Sequence, residues 1–225
     1  MDRLIVFGCS MAYGVGLEDC WPPMMPSRLN WCQIVADAMQ KHLINMSVPG
    51  SSNKRICHEI SRFKFLPTDT VIISWSYPDR SSIINSNKNI INLHHNSPNK
   101  ESDIYYRYIY SKYDSELAST LYVDYSNRIL KDQNLKVYNL VVEKQYKNIL
   151  KNTVSVPLHV CSYERSYPKA LDDAHIGLEG NRAFAIDFLN YIGIDHSITE
   201  SMKPYSRLKR LIIFLKEINW KHIRL

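Results

Sequence analysis

Apolar residues recur along the chain in short blocks that alternate with helical patterns. Five blocks rich in β-branched or apolar residues predict strands at 3–8, 43–47, 69–76, 135–142 and 156–161. Between them, apolar residues at helical spacing predict helices at 29–42, 51–63, 103–133 and 178–193. This alternation is typical of βαβ units, in which helices cover both faces of a parallel sheet. We therefore predict an α/β fold, a flavodoxin-like three-layer α/β/α sandwich around a five-stranded parallel sheet.

Two segments fall outside that alternation. Residues 85–102 are rich in Asn, Ser and Lys and predict a turn-like surface loop, so that 85–133 forms an insertion-like loop and helix within a domain over 1–200. Residues 203–225 predict a basic amphipathic C-terminal helix. Its apolar stripe consists of Leu208, Leu211, Ile212, Leu215 and Ile218. The stripe is expected to pack on the domain or on a second subunit, or to serve a protein, membrane or nucleic-acid partner.

The positive charge of the chain is concentrated in that last helix. Residues 203–225 contain seven Lys and Arg and one Glu, which accounts for the whole net charge of +6. The rest of the chain is neutral, with 21 basic and 21 acidic residues. A neutral domain lacks the basic groove of a nucleic-acid-binding protein, so no nucleic-acid partner is expected.

The apolar runs indicate where in the cell the protein is expected, and the cysteines and histidines indicate whether it is expected to bind a metal. No apolar run is long enough to cross a bilayer, and the first residues enter a strand pattern without the features of a signal peptide. The expected location is the cytoplasm, or a virion if the source is a phage. The five cysteines are widely spaced, which favours free thiols. His94 and His95 lie in a polar stretch without supporting ligands, so neither a metal nor another cofactor is expected.

Glycine is scarce, and its placement indicates a site. Six of the seven glycines fall in or beside three segments, GCSMAYGVG at 8–16, NMSVPGSSN at 45–53 and DDAHIGLEG at 172–180. The first two segments follow the carboxyl ends of predicted strands, where loops and helix N-termini converge in an open α/β sheet. We therefore expect the three segments to meet at one edge of the sheet and to form a binding or catalytic site.

Together, these segments resemble the SGNH hydrolase superfamily, the GDSL-type esterases. The first segment matches that family's G-D-S-x-x-x-G block except that Cys9 stands where Asp is usual. Gly50 fits the second block, and Asp172 to His175 fit the D-x-x-H block. The Cys form of the first block, joined to PGSSN, is similar to uncharacterised members from bacteria and their phages. The third block, G-x-N-D, corresponds to SWSYPDR at 74–80, which has neither the glycine nor the asparagine.

The resemblance implies a serine hydrolase with a catalytic triad. Ser10 would be the nucleophile, His175 the base that takes its proton, and Asp172 the acceptor that fixes the imidazole tautomer. The backbone N–H groups of Ser10 and Gly50 would donate hydrogen bonds to the oxyanion. Asn53 offers a further oxyanion-hole donor or, equally, caps the helix that begins there.

Several of these residues also have plainer explanations. Ser10 would merely cap the first helix, and His175 would be a structural histidine. Asp173 competes with Asp172 as the partner of the imidazole. Cys9 is intrinsically the better nucleophile, but it occupies the Asp position of the block, so we expect it to be a small buried filler.

Residues near the altered third block are candidates for substrate binding. Ser76 or Tyr77 could donate a hydroxyl in place of the missing asparagine. Arg80 could hold an anionic or sugar substrate, or be an ordinary salt-bridged residue. Four aromatic residues could stack on a sugar ring or simply pack: Tyr13, Trp21, Trp75 and Tyr77.

These observations predict a carboxylic ester hydrolase. A small acyl group such as acetyl on a carbohydrate or cell-envelope polymer is implied only by the substrates common in the family. The alternative is a catalytically silent module of the same fold that binds a glycan or is a structural component of an assembly such as a virus particle, since the third block is altered. A nucleic-acid-associated role through the C-terminal helix is disfavoured by the neutral domain.

Overall fold

Strands and helices alternate along the chain in a computed structural model, which describes residues 2–20, 24–87, 89–95, 97–151, 153 and 155–198. The strands are β1 (Arg3–Phe7), β2 (His42–Asn45), β3 (Thr70–Trp75), β4 (Ser81–Ile84), β5 (Ile90–Leu93), β6 (Lys136–Val141) and β7 (Ser155–His159). The helices are α1 (Ser10–Tyr13), α2 (Trp31–Ala38), α3 (Asn53–Arg62), α4 (Lys100–Tyr108), α5 (Lys112–Asp132), α6 (Val160–Glu164) and α7 (Leu178–Ile192). A 3₁₀ helix spans Lys144–Leu150.

Two of the predicted features lie outside the described residues. These are the C-terminal helix at 203–225 and Trp21. Within the part of the chain that is described, no helix has both the length and the apolar character needed to cross a membrane.

Five strands form one parallel sheet in the order β2-β1-β3-β6-β7. Each neighbouring pair is parallel. The predicted five-stranded parallel sheet is confirmed, and every predicted strand is found to within two residues of its expected ends. The carboxyl ends of β1, β2 and β3 therefore lie side by side at one edge of the sheet.

Two apolar layers hold the helices against this sheet. Along β1, Leu4 and Val6 belong to one layer and Ile5 and Phe7 to the other, and all four are at most 1% exposed. The first layer is closed by α2 and α7, and the second by α3 and α5. Because both faces of the sheet are covered, the strand is apolar at consecutive positions rather than at alternate ones.

The segment between β3 and β6 differs from the prediction. Residues 85–102 are not simply a loop, because β4 and β5 pair as an antiparallel hairpin and α4 begins at Lys100. Asn85, Asn87 and Asn89 lie in the hairpin turn. Asn99 caps α4 by accepting from the Ser102 N–H. α5 is a separate helix capped by Ser111, and it packs on the sheet as the crossover between β3 and β6.

An ion pair ties the start of β1 to the turn before β3. Arg3 Nε and Nη2 donate to the two carboxylate oxygens of Asp69 at 2.8 and 2.6 Å, and the Leu66 N–H donates to the same carboxylate at 2.8 Å. Burial disfavours the charged form of Asp69, but the hydrogen bonds from Arg3 and Leu66 outweigh burial and lower the pKa of this carboxyl.

Asp69→Asn should therefore destabilise the protein in a pH-dependent way. The pair stabilises the fold fully above the unfolded pKa of an aspartate, about 3.9, and its contribution is lost as the pH falls through the lower folded pKa. We expect the difference in urea midpoint between wild type and Asp69→Asn to be large at pH 7 and to shrink below about pH 4. The exposed Asp132→Asn is the matched control. A difference of equal size at both pH values would contradict this explanation.

Candidate active site

Ser10 is the first residue of α1 and follows β1 through a sharp turn. A Cβ on Gly8 would lie 2.8 Å from the Ala12 Cβ and 3.2 Å from the Ser74 Cβ, so the turn has room only for glycine at this position. Cys9 is fully buried in an apolar layer, as expected for a filler, whereas Ser10 is 7% exposed. The turn thus buries the thiol and leaves the serine at the carboxyl edge of the sheet.

Two asparagine side chains, one fully buried and one partly buried, hold α1 in place. The Ala12 carbonyl accepts from Asn30 Nδ2 at 3.0 Å and from Asn45 Nδ2 at 2.8 Å, and the Tyr13 carbonyl accepts from Asn30 at 3.2 Å. Since α1 has only four residues, these side chains satisfy carbonyls that a longer helix would bond internally. The sequence marks neither Asn30 nor Asn45 as functional, because their partners are backbone atoms brought close only by folding.

The loop after β2 runs beside the turn that carries Ser10. The N–H groups of Met46 and Val48 donate to the carbonyls of Val6 and Gly8 at 2.8 and 3.1 Å, which extends the β1–β2 pairing beyond the strands. Gly50 follows with a φ of +73°, in the left-handed region that favours glycine. The structure thus brings the second glycine segment alongside the first.

Two backbone N–H groups at this edge have no acceptor. In the described part of the chain, neither the Ser10 N–H nor the Gly50 N–H donates to a backbone or side-chain atom. The first is free because α1 begins there, and the second because Gly50 lies in a turn. Free N–H groups on adjoining segments are the donors that a developing oxyanion needs.

His175 and Asp172 form a direct pair in the loop before α7. The distance from His175 Nδ1 to Asp172 Oδ2 is 2.5 Å, and Asp172 Oδ1 accepts from the N–H groups of Ala174 and His175 at 3.0 and 3.1 Å. Burial disfavours the charge on Asp172, but these hydrogen bonds outweigh burial and lower the pKa of the carboxyl. An ionised Asp172 accepts the Nδ1 proton, so the Nε2 of a neutral imidazole is left unprotonated and able to act as a base.

Of the two adjacent aspartates, Asp172 is the one that contacts the imidazole. Asp173 is exposed and adopts a φ of +53°, and its N–H donates to the Ala170 carbonyl at 3.1 Å. The choice of Asp172 over Asp173, made on the D-x-x-H spacing, agrees with this contact.

The His175 loop is fixed against the segment that follows Ser10. The Leu171 N–H donates to the Gly16 carbonyl at 2.9 Å, and a Cβ on Gly16 would lie 2.7 Å from Asp172 Cγ. Gly16 is thus a close-approach position whose role the sequence did not reveal. Within the described residues no hydrogen bond joins Ser10 Oγ to the imidazole. Catalytic hydrogen bonds are often long until substrate is bound.

Asn53 has buried partners of its own. Its amide group donates to the Ser76 carbonyl and to Ser119 Oγ, both at 3.1 Å, and its carbonyl oxygen accepts from the Ser76 N–H at 2.7 Å. The cap of α3 is instead Ser52, whose hydroxyl accepts from the Arg55 N–H at 3.2 Å. Asn53 therefore ties α3 to the end of β3, and its amide group is not free to bind an oxyanion.

The last residue of β3 and the residues that follow it also differ from expectation. Trp75 is fully buried and donates from Nε1 to Asn139 Oδ1 at 2.8 Å, so it cannot stack on a sugar. The Tyr77 hydroxyl lies 3.1 Å from Cys161 Sγ, and burial is the main reason that the pKa of Tyr77 is raised. The Arg80 guanidinium lies over the Tyr77 ring at 4.6 Å from its centroid. Tyr77 thus supports Arg80 instead of presenting an open ring face.

Metal ligands are not assembled among the residues that the structure describes. No group of three or more His, Cys, Asp or Glu side chains there is placed to hold an ion. All five cysteines are buried free thiols.

Comparison with solved structures identifies the fold. A crystal structure of TesA matches 84% of this chain and 97% of its own length, with a TM-score of 0.56 and 11% identity. A carbohydrate esterase, whose active site displays divergent catalytic and non-catalytic binding functions, matches 87% of this chain and 70% of its own length, with a TM-score of 0.51 and 9% identity. No family model and no curated protein matches the sequence. At such identities the likeness shows the fold alone and assigns no role to any residue.

Proposed function

We propose that this protein, which has the fold of the SGNH hydrolases, is a serine ester hydrolase with Ser10, His175 and Asp172 as its triad. The observation that carries the proposal is the 2.5 Å contact between His175 Nδ1 and Asp172 Oδ2, on a loop docked beside the segment that bears Ser10. A carboxylate that holds a histidine in one tautomer near a serine at a strand-to-helix turn is an arrangement that can activate the hydroxyl for acyl transfer.

In the proposed reaction, Ser10 Oγ attacks the ester carbonyl carbon while its proton passes to His175 Nε2. The bond to the leaving alcohol then breaks, and His175 returns the proton to that alcohol. Water repeats the two steps, which releases the acid and restores Ser10. Asp172 stays ionised throughout and stabilises the imidazolium each time it forms.

The proposed oxyanion hole consists of the Ser10 and Gly50 N–H groups. Both are free in the described part of the chain, and one such donor contributes on the order of 10²–10³ in rate. Gly50 also has no side chain to obstruct a substrate that approaches its backbone. Asn53 adds no donor, because its amide is already bonded to Ser76 and Ser119.

For the substrate we propose a small acyl ester, such as an acetyl group on a carbohydrate. A carbohydrate esterase shares this fold, which makes such an ester the natural first substrate to test. Arg80 is proposed as a substrate-binding residue, with Tyr77 as the surface beneath it. The triad chemistry itself needs no cofactor.

A fluorophosphonate probe tests the proposal. An activated serine displaces fluoride and becomes phosphonylated, so we expect labelling of the folded protein at Ser10, located by mass spectrometry, and much slower labelling of His175→Ala. Heat-denatured protein is the control. Absence of labelling, together with no hydrolysis of several activated esters, would favour the catalytically silent glycan-binding or structural module.

A further inference from the structure

Arg80 differs from the other arginines that the structure describes. Five of those arginines lie within 4.0 Å of a carboxylate oxygen: Arg3, Arg55, Arg107, Arg165 and Arg182. Three more are exposed: Arg28, Arg62 and Arg128. Arg80 is half-buried, and within the described chain it forms no ion pair with a carboxylate. A cation partly removed from water without a counter-ion is unfavourable unless an anion binds to it.

The guanidinium of Arg80 is held in place at the edge of the sheet that carries the proposed triad. The backbone N–H of Arg80 donates to the Tyr77 carbonyl at 3.2 Å, which closes a turn after β3. Its side chain lies over the Tyr77 ring and donates from Nη1 to Ser76 Oγ at a long 3.4 Å. Most of the five N–H donors of the guanidinium therefore stay available to a ligand.

His94 links Arg80 to the proposed oxyanion hole. A Cβ on Gly50 would lie 3.6 Å from His94 Cδ2, so this ring stands next to the Gly50 backbone. Burial and the nearby charge of Arg80 lower the pKa of His94. The Asp79 carboxylate beside Arg80 in the sequence lies 3.8 Å from His95. Arg80 thus brings a positive charge to the side of the site that adjoins Gly50.

We propose that Arg80 binds a carboxylate carried by the substrate, so that the protein prefers acidic esters to neutral ones. This inference rests on the proposed ester hydrolase. A planar guanidinium binds a carboxylate through two parallel N–H···O bonds, which fix its orientation as well as its position. A substrate held in this way would present its ester carbonyl to the N–H groups of Ser10 and Gly50 in few orientations, which favours attack.

Two matched pairs of esters test the inference. 4-Acetoxybenzoate and its methyl ester differ in a carboxylate on the alcohol side, and mono-4-nitrophenyl adipate and its methyl ester differ in one on the acyl side. In at least one pair, Arg80→Gln should lower the ratio of kcat/KM for the acidic ester to that for the neutral ester by about 10- to 100-fold, the range of a charge-assisted hydrogen bond. Arg80→Lys should restore part of the ratio.

Arg107→Gln is the matched control, because it removes the same charge from an exposed pair with Asp103 on α4. It should leave both ratios unchanged. If Arg80→Gln lowers both members of each pair equally, or changes neither ratio, the inference is overturned and ester hydrolysis still stands. If the wild-type protein hydrolyses none of the four esters, the proposed function fails and the inference fails with it.

Discussion

Ser10→Ala should abolish ester hydrolysis and leave the fold intact. Without the Oγ nucleophile no acyl-enzyme can form, and only binding and the oxyanion hole remain, so we expect kcat for 4-nitrophenyl acetate to fall by roughly 10⁴-fold or more. Ser10 Oγ makes no hydrogen bond in the described part of the chain, so its removal should change the free energy of unfolding by less than about 0.5 kcal/mol.

Cys9→Ala is the matched control, because Cys9 is next to Ser10 in the sequence and its change to alanine also removes one heavy atom. The Cys9 side chain is fully buried in an apolar layer. Its truncation should lower the free energy of unfolding by about 1 kcal/mol, measured by urea denaturation, and leave esterase activity near the wild-type value. Retained activity in Ser10→Ala, or activity lost only in Cys9→Ala, would show that Ser10 is not the nucleophile.

Asp172→Asn should lower kcat by about 10⁴-fold while the loop keeps its shape. The remaining amide oxygen can still accept from the N–H groups of Ala174 and His175, which Asp172 Oδ1 now does at 3.0 and 3.1 Å. The new NH₂ group would then face His175 Nδ1. A donor at that place turns Nδ1 into an acceptor and puts the proton on Nε2, where it prevents the imidazole from taking a proton from Ser10.

Asp173→Asn controls for the change of charge in the same loop. Asp173 is exposed, and asparagine tolerates its φ of +53° as well as aspartate does. We expect its kcat, measured with 4-nitrophenyl acetate, to stay within about twofold of wild type, as for most surface substitutions. Asp172→Asn retaining more than a tenth of the activity, or equal losses in both variants, would exclude the orienting role of Asp172.

Some features of the candidate site involve residues that are close together in the sequence, and these could be predicted from the sequence. Asp172 and His175 are three residues apart, so a single loop is enough to bring the carboxylate to the imidazole. Ser10 lies directly after an apolar run, so its place at the end of β1 follows from the strand that precedes it. Both placements need only the geometry of a few consecutive residues.

Other assignments depended on partners far away along the chain. The sequence offered Asn53 as a helix cap or an oxyanion donor, but its amide bonds to Ser76 and Ser119, which are 23 and 66 residues away. From the sequence, Trp75 could stack on a sugar ring at the site or pack in the core. The packing of α3 and α5 against the sheet buries it. No local sequence pattern predicts contacts between residues so far apart in the chain.

The order of residues along the chain was enough to predict the five-stranded parallel sheet, the position of Ser10 at a strand end and the spacing of the Asp172–His175 pair. These follow from hydrophobic periodicity and short-range geometry, which a few consecutive residues encode. Three features became visible only in the folded chain: the hairpin at 81–93, the hydrogen bonds between Asn53 and Ser76, and the packing of Gly16 against Asp172. Such contacts join segments that are distant in sequence. They form because the folded interior is close-packed and its buried polar groups need hydrogen-bond partners, and both conditions depend on the whole chain.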